Sequence, residues 1–413
     1  MSRAIVVDSS GRSIDEVMLV RMEAGNSYTG LDQVEIFCHG GQQVLRKILD
    51  IMLRSPARAA EPGEFTRLAF LNGRIDLSRA EAVAEMVRAN TDQSYEAARE
   101  HLLGAYSDQI EMLRKQIVAI LAEIEASIDY PEEEIPESDQ KAVLRQFDSI
   151  VSQLEKLSSS YRGGRIVKEG FRIVIAGQAN VGKSTLFNLL LRKERALVSS
   201  EAGTTRDYLS EWIDLGGYAV NLIDTAGWRH SNDEVERAGQ VAASRAMSEA
   251  DLIVWVSDLT EDDWQFYTGE DELALQDSDK LYVGNKLDLL EAHQETGEQY
   301  FGRHDCPSDD FVDISCVTGH GIDRLRELLL RRIQRNVPDL TSGQVVTSAR
   351  HHQKMELAVR SLRHSRELFE TGVSPEMVSV DLRQAADSLA EITGKIYTED
   401  ILEQVFSKFC IGK

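Results

Sequence analysis

The run Gly177-Gln178-Ala179-Asn180-Val181-Gly182-Lys183-Ser184 constrains this chain more than any other stretch. It follows an apolar segment, Phe171 to Ala176, and opens a helix-forming one, Lys183 to Leu191. In such a loop the glycines let backbone N–H groups converge on phosphate oxygens. Lys183 would reach the β- and γ-phosphates, and the Ser184 hydroxyl would ligate magnesium. The apolar runs Ala219 to Ile223, Leu252 to Val256, Lys280 to Val283 and Phe311 to Ile314 read as further buried strands alternating with helices. Residues 169–336 are therefore expected to form a doubly wound, mainly parallel α/β sheet.

Further motifs follow in chain order. Asp224-Thr225-Ala226-Gly227 closes a strand, where a carboxylate can hold magnesium through water and a glycine N–H can meet a γ-phosphate. Thr204 and Thr205, in Ala202-Gly203-Thr204-Thr205-Arg206-Asp207, lie where a first switch belongs, and Thr205 is the second expected magnesium-ligating hydroxyl. Asn285-Lys286-Leu287-Asp288 closes another strand. Asp288 can accept two hydrogen bonds from N1–H and the 2-amino group of guanine, a pattern adenine cannot offer, so a mismatch leaves buried groups unpaired. Ser315-Cys316-Val317 fits a loop whose backbone closes over the base. The elements together predict a Ras-like P-loop GTPase domain that binds GTP and GDP. Its expected contacts include Asn180, Val181, Gly182, Lys183, Ser184 and Thr185, together with the residues of these later motifs.

Hydrolysis needs a group that this pattern does not supply in the usual place. Ras-like enzymes orient the attacking water with a glutamine after Asp-x-x-Gly, and here that position is Trp228. Asn180 could ligate a monovalent cation beside the phosphates, supplying charge that an arginine finger supplies elsewhere. Glu236, in Asp233-Glu234-Val235-Glu236-Arg237, could hold the water, although a surface carboxylate is the plainer reading from the residues alone. Arg206 and Arg229 are candidate switch arginines with the same plain alternative.

The remainder of the 413 residues has a different texture. Residues 1–76 mix short strand-like runs with turns: Ile5 to Asp8, then Glu16 to Met22. The alternation of Val34, Ile36 and Cys38 with Glu35 and Phe37 is that of a half-buried strand, and a helix is expected over Gln42 to Leu53. This is a small α+β domain. Residues 77–168 read as helical. Ser78 is placed to cap a helix, and Leu103, Tyr106, Ile110, Leu113, Ile117, Ile120 and Ile124 recur in steps of three and four, the seam of a long packed helix. Residues 337–413 resume the helical pattern, so the α/β domain interrupts a helical one.

Composition narrows the function classes. A formal net charge of −23 argues against a broad nucleic-acid-binding surface. It leaves room for a local patch, and Arg350, Lys354, Arg360, Arg363 and Arg366 are the candidates, against a salt-bridged helix face as the alternative. Cys38, Cys306, Cys316 and Cys410 have no metal-site spacing. With no membrane-spanning run and no visible secretory signal, a cytoplasmic protein without membrane association is expected.

The motifs resemble those of the bacterial tRNA-modification GTPase family MnmE, also called TrmE. The likeness covers nearly the whole chain through Asn26-Ser27-Tyr28-Thr29-Gly30, Glu35 to Gly41, Pro62-Gly63-Glu64-Phe65-Thr66, Ala69 to Gly73, Ile75-Asp76-Leu77, the nucleotide motifs and a terminal Cys410-Ile411-Gly412-Lys413. The resemblance implies pairing with a flavin-containing MnmG (GidA) partner in a heterotetramer. Together they would install an aminomethyl or carboxymethylaminomethyl group on C5 of the wobble uridine of certain tRNAs. The one-carbon unit would come from 5-formyltetrahydrofolate or a related folate bound by the N-terminal domain, which would also form the homodimer.

It further implies that potassium promotes G-domain dimerisation and hydrolysis. Asn180, Ser199, Glu201 and Thr204 match the potassium positions, within a nucleotide-contacting stretch that also holds Ser200, Ala202 and Gly203. Glu236 matches the water-orienting glutamate, with Lys183 and Arg206 as its catalytic companions. Glu35, Arg74 and Lys413 match folate-contacting positions, where lysine is more usual than arginine at 74. Family members begin with a strand and a Pro-Pro-Gly-Arg-Gly-Gly-like turn that precedes the first residue here. An Era- or Der-type ribosome-assembly GTPase is the alternative. Those proteins carry an RNA-binding module or a second G domain, whereas only helix-like sequence follows this G domain.

Overall fold

In the computed structural model of the protein, ten strands are found among the described residues. The structure describes residues 1–129, 137–197, 209–224, 244–260, 279–290, 310–337, 344–372, 374–410 and 412. The strands are β1 (Ser2–Val7), β2 (Ser13–Met22), β3 (Gln33–Phe37), β4 (Phe171–Gly177), β5 (Arg195–Ala196), β6 (Leu209–Leu215), β7 (Tyr218–Asp224), β8 (Leu252–Asp258), β9 (Lys280–Asn285) and β10 (Phe311–Asp313). The chain divides into two units. One comprises residues 1–87, 98–155 and 353–413, the other 88–97 and 156–352.

The second unit holds a seven-stranded sheet in the order β10-β9-β8-β4-β7-β6-β5. β4 pairs in parallel with both β7 and β8, and β9 and β10 continue in parallel. β4 and β8 are buried along almost their whole length, as strands covered on both faces must be. All five apolar runs expected as strands are strands here. β5 and β6 were not read from the sequence, and both run antiparallel at one edge. Strand order reverses at β4, so a crevice opens at its carboxyl end, the place where open α/β sheets bind ligands.

The first unit combines a three-stranded antiparallel sheet, β1-β2-β3, with helices. Helix Gln42–Leu53 lies against β2, burying Ile48 and Val17. The expected alternation in β3 is not clean, because Val34 is 55 % exposed. The long seam also needs correcting at its start. Its helix is Ala105–Asp129, and Leu103 belongs to the preceding helix, Asp92–Leu103, where it is exposed. Gly104, at a φ of 97°, separates the two. The other six seam residues are almost wholly buried, and their helix packs along Pro375–Thr393. Nor does Ser78 cap helix Leu77–Arg88: the Asp76 carboxylate accepts the Arg79 N–H at 2.9 Å and the Ser78 hydroxyl at 2.6 Å.

At the other end of this unit, helix Glu399–Phe406 packs on helix Glu64–Leu71. Phe70, Leu77 and Ala80 share one buried cluster with Leu402, Val405, Phe406 and Phe409. The chain's last helix is therefore part of the core beneath the N-terminal domain.

Because Ile117 is fully buried in the seam, an Ile117→Ala variant is expected to lose about 2–5 kcal/mol. The measurement is the urea midpoint of the helical unit's transition. A midpoint within error of the parent would show that the seam carries no such load.

Candidate nucleotide site

The crevice at the end of β4 is built from four loops. Gly177 ends β4 with a φ of 141°, and a Cβ there would collide with the Val256 carbonyl. Gly182 caps helix Lys183–Lys193, and a Cβ there would strike the Asn285 amide. Both positions need glycine because backbone and amide occupy the space a side chain would take. Among the described residues, only Asn180 (φ 65°) and Lys286 (φ 67°) carry a side chain in the left-handed region. Both sit in the nucleotide loops, where local strain is held for function.

At the phosphate end, Lys183 is buried and its ammonium donates to the Gln178 carbonyl within the loop. The helix that starts here directs its free N–H groups and positive dipole end at the loop. Parallel pairing places Asp224 opposite Ile175, and the Ser184 hydroxyl donates to Asp224 Oδ2 at 2.7 Å. A hydroxyl and a carboxylate of this kind form a hard oxygen donor set that fits magnesium. Thr185 follows on the exposed side of the same first turn.

At the base end, Asn285 links two loops. Its Nδ2 donates to the Val181 carbonyl at 2.8 Å, and its Oδ1 accepts the Cys316 N–H at 3.1 Å. The Ser315 hydroxyl donates to Asp288 Oδ1 at 2.5 Å and accepts the Thr318 N–H at 3.1 Å. One Asp288 oxygen is thus fixed from the protein side. Val317 is 84 % exposed at the loop's outer edge. Burial, with Asp288 nearby, pushes the Cys316 thiol up to about 11, so this cysteine stays protonated.

Asp258 belongs to the site and was missed in the sequence. It ends β8 opposite Asn285 and forms an ion pair with Lys286. Burial raises its carboxyl, but hydrogen bonds from Lys286 and Thr260 and the Lys286 charge outweigh that and hold it below the ordinary carboxylate value. The available signal was an aspartate closing the strand adjacent to the guanine-reading motif.

Of the remaining expected residues, Ser199, Ser200, Glu201, Ala202, Gly203, Thr204, Thr205, Arg206, Thr225, Ala226, Gly227, Trp228, Arg229, Glu236 and Lys413 lie outside the described residues. Glu35 and Arg74 lie in one polar neighbourhood of the N-terminal domain. Gln33 donates to Glu35 at 2.9 Å, the Thr29 hydroxyl donates to Gln33 Oε1 at 3.4 Å, and Asn72 donates to the Thr29 carbonyl at 2.8 Å. The Arg74 stem crosses Gly30. Tyr28 and Thr66 share a 3.1 Å hydroxyl contact, and the Gly63 N–H donates to the Cys410 carbonyl at 3.4 Å. The motifs around Asn26, Pro62 and Asn72 are therefore linked by these contacts, and Cys410 meets the Pro62 motif at Gly63.

The basic stretch does not form an open patch. Lys354 pairs with Glu391, Arg363 with Glu155, and Arg366 with Asp148 and Glu370, while His351 is buried. Arg360 is exposed. This is the salt-bridged helix face of the plainer reading.

Comparison with known proteins agrees with the sequence. A family model described as the MnmE helical domain matches residues 77–410, and one described as the GTP-binding protein TrmE N-terminus matches residues 1–74. The "tRNA modification GTPase MnmE" of Aquifex aeolicus is 39 % identical over 99 % of this chain and 89 % of its own length. Proteins of the same name from Carboxydothermus hydrogenoformans and Symbiobacterium thermophilum are each 40 % identical, over 99 % of this chain and 88 % of theirs. Among solved structures, the G domain of the T. maritima FeoB iron transporter matches 39 % of this chain and 98 % of its own, at 24 % identity and a TM-score of 0.27.

An Asn285→Ala variant is expected to bind GDP at least tenfold more weakly, since it leaves the buried Val181 carbonyl and Cys316 N–H unpaired at about 1–3 kcal/mol each. Titration with a fluorescent GDP analogue measures this, and unchanged affinity would remove Asn285 from its bridging role. In the same preparation iodoacetamide at pH 8 should alkylate exposed Cys410 and spare Cys316, read by peptide mass analysis.

Proposed function

Since the chain belongs to the MnmE family of tRNA modification GTPases, we propose that its GTP hydrolysis drives a wobble-uridine modification performed jointly with an MnmG/GidA-type FAD protein. The pair adds an aminomethyl or carboxymethylaminomethyl group to C5 of that uridine in certain tRNAs. The observation that carries the hydrolytic half is the Ser184–Asp224 contact at one end of a site whose other end holds Asp288 against Ser315. That arrangement suits a magnesium–nucleotide at one end and guanine at the other.

Within this reading, Lys183 stabilises the charge that develops on the β- and γ-phosphates. Ser184 and Thr205 hold magnesium, with Asp224 beside them, and the ion neutralises phosphate charge when bound. Asn180, Ser199, Glu201 and Thr204 hold potassium. Glu236 orients the attacking water in place of the glutamine that Trp228 supplants, and Arg206 steadies the first switch. The positive φ of Asn180 supports its part, because it holds that side chain in a conformation seldom adopted without cause.

The N-terminal domain, in this reading, binds a tetrahydrofolate through Glu35, Arg74 and Lys413 and forms the homodimer. Exposed Ile5, Met18 and Phe37 on one sheet face, and Leu45, Leu49 and Met52 along one helix, support dimerisation, since apolar groups so clustered are usually covered by a partner. Two such dimers of the two proteins make the heterotetramer. No helix among the described residues is long and apolar enough to cross a membrane. The site of action we propose is the cytoplasm, where tRNA is found.

GTP turnover is expected to rise several-fold in potassium over sodium, and equal rates would sink the cation assignment. Glu236→Ala should bind GTP normally and hydrolyse it about a hundredfold more slowly, the scale of a lost proton-transfer or water-orienting group. The modification itself is tested by expressing the chain in a strain lacking its MnmE-type gene and analysing tRNA nucleosides. Restored wobble-uridine modification supports the reading, and unmodified tRNA despite soluble expression beside the flavoprotein refutes it.

A further inference from the structure

The hairpin of β6 and β7 joins the two segments that GTP hydrolysis is expected to move. β6 begins at Leu209, just after Ala202-Gly203-Thr204-Thr205-Arg206-Asp207, and β7 ends at Asp224, the first residue of Asp224-Thr225-Ala226-Gly227. The strands pair without interruption, from Leu209 opposite Asp224 to Leu215 opposite Tyr218. At 3.3 Å per residue the ribbon is roughly 20 Å long. Its open end is at the phosphate site, and its closed end is remote from it. Such a ribbon moves as one body, because slippage by one residue would turn every side chain to the wrong face.

The closed end is the turn Gly216-Gly217, which is gripped on two sides. Leu330 of helix Ile322–Asn336 fills the space at Gly216, where a Cβ would come within 2.9 Å of its Cδ1. On the other side the Gln93 N–H donates to the Gly217 carbonyl at 3.4 Å, and Gln93 Cγ lies 3.7 Å from the place of a Gly217 Cβ. Asp214 accepts the Gly217 N–H at 2.7 Å and fixes the turn itself.

Gln93 lies in the first turn of helix Asp92–Leu103, and residues 88–97 fold with the α/β unit. That helix start is well held. Ser94 N–H donates to Thr91 Oγ1 and Thr91 N–H donates to Ser94 Oγ, both at 3.3 Å, a reciprocal cap. One turn further on, Ala97 is buried with Val167 and Val345.

We propose that the β6–β7 hairpin is a lever: nucleotide hydrolysis at its open end displaces the Gly216-Gly217 tip, and the Gln93 N–H passes that displacement to residues 88–97. Leu330 serves as its brace. Packed elements hold discrete positions rather than deforming continuously, so a shift at one end of a rigid ribbon reappears at the other. The lever rests on the GTPase reading and goes beyond it by naming an element outside the nucleotide loops that receives the signal.

The test is hydrogen exchange on the full chain in potassium, comparing GDP with GDP plus aluminium fluoride, alongside a direct measurement of GDP affinity. Amides in 209–224 and in 88–97 are expected to change exchange rate between the two states by about tenfold. Gln93→Pro, which removes the donating N–H at a first-turn position that tolerates proline, should keep GDP affinity, turnover and the 209–224 response while reducing the 88–97 response at least threefold, on the order of one lost local contact. Gln93→Ala, which retains the N–H, should keep the full response. Residues 88–97 indifferent to nucleotide, or a full response in Gln93→Pro, would overturn the lever. Absence of GDP binding in the parent would instead bring down the reading on which it stands.

Discussion

The nucleotide site depends on Asn285. Its amide spans two loops from distant parts of the sequence, one shaped to meet phosphate and the other to meet a base. A single planar group therefore sets the distance between the two ends of the site. Gly182 carries no side chain because that amide occupies the space. Asn285 is 3 % exposed and uses both ends of its amide, so the link sits in a low-dielectric setting where hydrogen bonds are stronger and their loss more costly. Asp258 completes the base end by holding Lys286 from the neighbouring strand. The Asn285–Asp288 loop is thus tied laterally to β8 and forward to the loop at Val181.

Much of this was legible in the sequence, for a definable reason. Strands buried on both faces are continuous apolar runs, so β4, β7, β8, β9 and β10 stood out. β6 did not, because Ser, Glu and Asp interrupt the apolar residues of Leu-Ser-Glu-Trp-Ile-Asp-Leu, and no continuous apolar run remains. The long seam was visible from its three-and-four spacing. Its starting point was not, since Leu103 continues the spacing while Gly104 breaks the helix. Asp76, the residue that caps helix Leu77–Arg88, was masked by a nearby serine that looks like a cap. The local chemistry of both residues is the same, and only the backbone path decides between them. The basic stretch near Arg360 could not be resolved by composition, because its acidic partners are as far away in sequence as Asp148 and Glu155.

The N-terminal and C-terminal motifs show what long-range packing adds. Nothing in the local pattern of Pro62 to Thr66 links it with a terminal Cys-Ile-Gly-Lys. The link is made by helix Glu399–Phe406, whose Leu402, Val405 and Phe406 share a core with Phe70 and Leu77. Burying those side chains carries Cys410 to Gly63. The polar groups at Thr29, Gln33 and Asn72 are joined to one another by hydrogen bonds in the same unit. Hydrophobic burial supplies the placement, and the hydrogen bonds fix the geometry of groups already brought together.

An inserted domain must enter and leave its host through neighbouring points, and here the two crossings brace each other. The Val346 N–H donates to Ser160 Oγ at 3.0 Å, and Val346 lies so close to Gly164 that a Cβ there would collide with its carbonyl. His352 stacks on Tyr161 with ring centroids 4.4 Å apart and meets Ser158 at 2.9 Å. The segments entering and leaving the α/β domain are thus held by contacts on both sides of the backbone. Within this unit, segments far apart in sequence are tied together locally, so a displacement in one is carried by the elements paired with it. The β6–β7 hairpin, paired throughout and anchored at its tip, is an element of that kind.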